Sequence, residues 1–75
     1  MTIEQILKDV FSIPESNIND DLELREIPLW DSMSHMMLIM QIEEKFKIDM
    51  NGDEIADLRS VRDIRAVLRK KNVSV

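Results

Sequence analysis

The sequence predicts an all-α fold, a four-helix bundle of three longer helices and one short one, with a long connection between helices 1 and 2. Apolar residues recur at i, i+3, i+4 and i+7 in several segments, and each of those segments opens on a side chain suited to capping a helix. The 75 residues include one glycine, two prolines and no cysteine, while 44% are hydrophobic. Packed helix faces must therefore hold the fold, because neither a disulfide framework nor a thiolate metal site is open to it. A chain of this length makes one domain, residues 1–75, and buries only roughly 60% of its unfolded surface.

Helix 1 is expected over about residues 3–12. Thr2 with Gln5 has the form of a capping box; Ile3, Ile6, Leu7, Val10 and Phe11 follow at helical spacing, and Pro14 ends the run. The nineteen residues from Ile13 to Asp31 show no strong periodicity and are long for a loop in so small a domain. Ile18, Leu22, Leu24, Ile27 and Leu29 are spaced to pin this segment down, so it is read as an ordered strap containing a helical turn. Asp31 is a strong N-cap for helix 2, which runs to Phe46 or Lys47. Asn51 with Glu54 caps a short helix 3 through Leu58. Ser60 with Asp63 caps helix 4, which turns Val61, Ile64, Val67 and Leu68 inward until about Lys71.

Helix 2 carries two apolar stripes. At about 100° per residue, Leu38, Ile39, Ile42 and Phe46 fall on one side, while Met33, Met36, Met37 and Met40 centre on nearly the opposite one. A small domain cannot bury both. One stripe is expected to stay at the surface beside Ser32, where a partner protein could cover it. Thioether side chains adapt readily to such contacts, although methionine also serves as a gap-filler in cores.

Charge and composition exclude several classes. The net charge is −5, all of it from residues 1–30, where seven acids face two bases; residues 31–75 carry eight of each. Nucleic-acid phosphates would repel such a domain. Arg59, Arg62, Arg65, Arg69, Lys70 and Lys71 make the C-terminal segment locally basic, a pattern read as a solvated face that complements a helix C-terminus. No apolar run approaches the ~20 residues of a membrane span. The N-terminal stretch holds Glu4, Lys8 and Asp9 and lacks a secretory h-region, so cytoplasmic residence is expected. A single histidine, His35, offers no metal cluster. Phe11, Trp30 and Phe46 are spread out and form no base-stacking platform.

Ser32 is the residue with chemistry. His35 lies one turn on, which makes a serine–histidine nucleophile conceivable, but no acidic orienter stands nearby and the chain is too short to enclose much of a substrate pocket. A second reading makes Ser32 a plain first-turn residue in an unmodified helical interaction module that binds through Met33, Met36, Met37 and Met40. His35 itself reads as a helix-flank residue without chemistry.

Trp30-Asp31-Ser32-Met33, then Ile42-Glu43-Glu44-Lys45-Phe46-Lys47-Ile48, then a short acidic helix and Ser60-Val61, resembles the acyl and peptidyl carrier proteins. The resemblance covers essentially the whole chain, including the long first loop with Asp20-Asp21-Leu22. It implies that Ser32 is the attachment residue for 4'-phosphopantetheine donated by CoA, that acyl or aminoacyl cargo rides on the arm's thiol as a thioester, and that Asp31 caps the helix and helps present the serine. It further implies a free-standing monomeric carrier without catalytic or metal-ligating residues. Its partners would be a phosphopantetheinyl transferase, a loading ligase, and condensing or transferring enzymes of a fatty-acid-like, polyketide or other specialised pathway. With no cysteine in the chain, the only thiol would be the prosthetic one.

The sequence departs from the family's pattern in three places. Met33 replaces the usual leucine; Ser34, His35, Met36 and Met37 stand where acids are common; and Trp30 stands where many fatty-acid carriers have a small residue or leucine, although tryptophan there is familiar in carriers of polyketide, nonribosomal peptide and other specialised pathways. Partner recognition is therefore expected to rest more on apolar contact than on charge. Trp30 is read as an anchor for the strap, or alternatively as a residue lining the entrance to an acyl cavity.

Overall fold

Helix caps and apolar spacing place four helices in the computed structural model, which describes residues 2–73; Met1, Ser74 and Val75, the ends of the expected domain, lie outside the described residues. The helices are α1 (Ile3–Phe11), α2 (Ser32–Phe46), α3 (Gly52–Asp57) and α4 (Val61–Lys70). Among the described residues there is no strand, only an isolated antiparallel bridge between Glu23 and Ser60.

Each helix opens on the side chain expected to cap it. Thr2 Oγ1 accepts from the Gln5 N–H at 3.1 Å, and Gln5 Oε1 accepts from the Thr2 N–H at 2.9 Å. Asn51 and Glu54 form the same reciprocal box at 2.8 and 3.0 Å. Ser60 Oγ accepts from the Asp63 N–H at 3.2 Å, and the Asp63 carboxylate in turn takes the Arg59 N–H at 3.1 Å. Each such bond satisfies a first-turn donor that the helix itself leaves without a partner.

The C-termini differ from expectation in their cause. α1 stops at Ser12 and α2 at Lys47, both in the left-handed region at φ 57° and 56°. Pro14 therefore follows a helix that has already ended. Lys47 makes a Schellman-type stop: its N–H and that of Ile48 both bond the Glu43 carbonyl, the latter at 3.2 Å. Glycine is the usual residue at such positions, because a Cβ there costs about 1 kcal/mol.

The strap between α1 and α2 holds two 3-10 turns, Glu15–Asn17 and Leu24–Glu26, where one turn was expected. Leu24 and Ile27 are buried, and Ile18 and Leu22 pack against the core. Leu29 is not a pin: it is 57% exposed. The Trp30 N–H bonds back to the Ile27 carbonyl at 3.0 Å, and this turn carries Leu29 on its tip. Backbone bonds dock the strap on the entrance to α4, from Leu24 N–H to the Arg59 carbonyl at 2.8 Å and from Val61 N–H to the Leu22 carbonyl at 3.0 Å.

One core joins these elements. Ile3, Ile6, Leu7 and Phe11 of α1 meet Leu38, Ile39 and Ile42 of α2 and Val61, Ile64 and Leu68 of α4, all buried. Burial of each such side chain stabilises the fold by about 1.5–3 kcal/mol. Val10, Phe46 and Val67 pack at its margin. The basic C-terminal segment is less a solvated face than expected. Arg65 bonds Asp20 at 2.7 Å and Glu4 at 3.3 Å, Arg62 bonds Asp21 at 2.6 Å, and Lys70 and Lys71 reach Glu54 at 3.5 and 3.1 Å. These pairs tie α4 to α1, the strap and α3.

Candidate functional site

Two serines stand in the first turn of α2, and the fold gives them different work. Asp31 Oδ1 accepts from the Ser34 N–H at 2.8 Å, while Ser34 Oγ accepts from the Asp31 N–H at 2.8 Å and lies 3.1 Å from the Leu29 carbonyl, to which it can donate. Ser34 is therefore consumed in a capping box and in closing the turn before the helix. Ser32 is exposed, and its hydroxyl makes no hydrogen bond among the described residues. The hydrogen bond from the Ser34 N–H, followed by the Ser34 side-chain bond, holds the Asp31 carboxyl below its ordinary range. Asp31 is thus a committed helix cap.

His35 does not serve Ser32. Its Nδ1 accepts the Trp30 indole N–H at 3.2 Å, and its Nε2 lies 3.0 Å from the Ile55 carbonyl of α3. An indole nitrogen only donates, so Nδ1 must offer its lone pair and the proton sits on Nε2, which donates to Ile55. Both ring nitrogens are occupied, and no serine–histidine pair forms. No local pattern of residues reveals this bridge, because the position of α3 relative to α2 is a matter of tertiary packing.

Beside these residues lies a groove of about 560 Å³, lined by Leu24, Trp30, Met36, Ile55 and Leu58 among others and reaching Ser32. That volume falls in the range of small-molecule sites. On the outside of α2, Met33 is 76% and Met40 64% exposed, with Met36 and Met37 about half exposed (46% and 50%). The two stripes of the helix are divided as its pattern requires: the aliphatic one is buried and the methionine one faces outward. Sequence reasoning missed Ser34 as cap partner and Ile55 and Leu58 as groove residues. The Asp-x-x-Ser spacing could have shown the first.

Among the described residues, no helix is long and apolar enough to cross a membrane, and no group of three or more His, Asp or Glu could hold a metal ion. A small helical bundle with an exposed serine at a helix head, beside an exposed apolar stripe and a groove, is the class of domain these features define. Comparison with known proteins gives the class its family. Residues 2–68 match the family described as the phosphopantetheine attachment site, and the chain belongs to this family of carrier proteins.

The relatives agree. The chain is 37% identical over 60 residues to an acyl carrier protein of Desulforapulum autotrophicum, covering 80% of this chain and 70% of that one. It is 34% identical over 71 residues to an acyl carrier protein of Exiguobacterium sibiricum, covering 85% and 90%. It is also 36% identical over 75 residues to the non-reducing polyketide synthase AC of Didymella fabae, of whose length it spans only 3%. The fold matches the solution structure of a holo acyl carrier protein from Nitrosomonas europaea with a TM-score of 0.82 at 24% identity, covering 93% of this chain and 90% of the other. The protein is a carrier with a covalently attached 4'-phosphopantetheine and no catalytic activity of its own. The alternative of an unmodified interaction module gains no support.

Proposed function

We propose that Ser32 is the residue that carries the arm. The single observation behind this is the division of labour at the head of α2: Ser34 is spent on the cap, while Ser32 is exposed and its hydroxyl has no partner among the described residues. Ser32 Oγ gives up its proton and takes the phosphopantetheinyl group from CoA, whose nucleotide half leaves. The resulting phosphodiester lies at the positive end of α2, which favours an anion by about 0.3–1 kcal/mol. Once attached, the arm supplies a thiol that holds cargo as a thioester.

Met33, Met36, Met37 and Met40 form the docking face in this reading. Partners that must reach both Ser32 and its arm would meet α2 there: a phosphopantetheinyl transferase, then an acyl- or aminoacyl-loading ligase, then condensing or transferring enzymes. The first turns of α2 carry methionines, two serines and a histidine after the Asp31 cap, so the contact is mainly apolar. Relatives among acyl carrier proteins and a polyketide synthase support a fatty-acid-like, polyketide or other specialised pathway. A monomeric carrier domain working in the cytoplasm completes the reading.

The test is intact-mass measurement of the apo-protein after incubation with CoA, magnesium and a broad-specificity phosphopantetheinyl transferase. Wild type and Ser34→Ala should each gain one phosphopantetheine and Ser32→Ala none. A gain that survives in Ser32→Ala overturns the assignment.

A further inference from the structure

The groove beside Ser32 has two walls from different elements. Trp30, His35 and Met36 belong to the head of α2 and the residue before its cap; Ile55 and Ala56 belong to α3, with Leu58 just beyond. Among the described residues, one hydrogen bond joins a side chain of α2 to α3, and it is His35 Nε2–H to the Ile55 carbonyl at 3.0 Å. The same ring accepts the Trp30 indole N–H at 3.2 Å and meets that indole edge-on, with ring centroids 5.9 Å apart and planes at 86°. α3 has only six residues, far below the ~12–15 that let a helix persist alone. Its position is set by what it touches: Leu58 in the core, Glu54 on Lys70 and Lys71, and His35.

We infer that His35 is a positioning residue that sets the width of this groove and so governs how firmly it shelters arm-borne cargo. The inference rests on the reading that Ser32 bears the arm. A neutral imidazole is the one ring form that satisfies both partners, since the indole demands an acceptor and the carbonyl a donor. Losing it would leave the Trp30 indole N–H without a partner, leave the Ile55 carbonyl only the 3.4 Å bond from the Leu58 N–H, and remove the side-chain bond that ties α3 to the head of α2. Trp30 would then lose the bond that orients its indole in the groove wall.

The experiment uses octanoyl-CoA with the transferase, which installs an octanoyl-bearing arm in one step, and follows cleavage of the thioester by hydroxylamine through intact mass. Wild type should be cleaved more slowly than octanoyl-CoA itself. His35→Ala should accelerate cleavage about three- to tenfold, the range one lost hydrogen bond spans. Trp30→Phe, which keeps an aromatic wall but has no N–H, should accelerate it as well, and it carries the test if His35→Ala does not fold. His35→Gln keeps one acceptor and one donor and should stay near wild type. In 15N spectra His35 should show an unprotonated Nδ1 and a protonated Nε2.

The inference is overturned if His35→Ala and Trp30→Phe lose the octanoyl group to hydroxylamine at the wild-type rate, if His35→Gln is as fast as His35→Ala, or if the other tautomer is found. Wild type cleaved as fast as octanoyl-CoA also overturns it, while a mass gain confined to Ser32 would leave the carrier assignment standing.

Discussion

At the scale of the residue, the head of α2 shows how one turn of helix can hold a hydroxyl free while using its neighbour. Asp31 and Ser34 exchange two hydrogen bonds of 2.8 Å, so the backbone around Ser32 is fixed without help from Ser32. Ser34→Ala removes the acceptor for the Asp31 N–H and should cost about 1 kcal/mol of stability, read as a lower denaturant midpoint, with acceptance of the arm unchanged. Asp31 and Ser32 were legible in the sequence because an acidic N-cap and a first-turn serine announce themselves locally. His35 was not legible. Its partners are Trp30, five residues earlier, and Ile55, twenty residues later, and only the packing of α3 against α2 brings the latter within reach. Leu29 misled for the opposite reason, since spacing alone does not reveal a turn that lifts a leucine out of the core.

At the scale of the element, α2 is the part that must face both inward and outward. Its buried stripe fixes it to α1 and α4, which leaves the methionine face free to change without unfolding the domain. A Met36→Ala/Met37→Ala double variant should therefore keep its helical circular dichroism while raising the KM of a loading or transferring enzyme about tenfold, equivalent to about 1.4 kcal/mol of contact. Glu44→Lys on the same helix, 72% exposed in its side chain, should change that KM less. A larger effect from the charge reversal would show that recognition is electrostatic. Both stripes could be read from periodicity, and all four N-caps from side-chain type. The helix ends could not: Ser12 and Lys47 adopt left-handed backbone where glycine is the usual signal, and the one glycine, Gly52, instead opens α3.

At the scale of the whole molecule, charge imbalance along the chain becomes charge pairing in space. The acidic first thirty residues hold Glu4, Asp20 and Asp21, which meet Arg62 and Arg65 of α4. Composition revealed the imbalance but not the pairing, because each contact spans 41 residues or more of sequence. Acid should weaken two carboxylate contacts elsewhere in the fold. The Glu54 carboxyl is held below its ordinary value of 4.5 by the Asn51 N–H and then by Lys71, and that of Asp31 below 3.8 by Ser34. Groups with lowered native pKa values add stability that is complete above their unfolded values and disappears as pH falls through the folded ones. The two carboxyls should thus make the melting temperature fall as pH drops below those two values. Glu54→Gln should flatten part of that fall, and an unchanged acid profile would show that these bonds contribute nothing.

The central claim, that the oxygen carrying the arm is that of Ser32, is tested most directly by peptide fragmentation of the phosphopantetheinylated wild-type chain. The account predicts a single modified residue, Ser32. Modification at Ser34, Ser12 or Ser60, or spread over several serines, would contradict it.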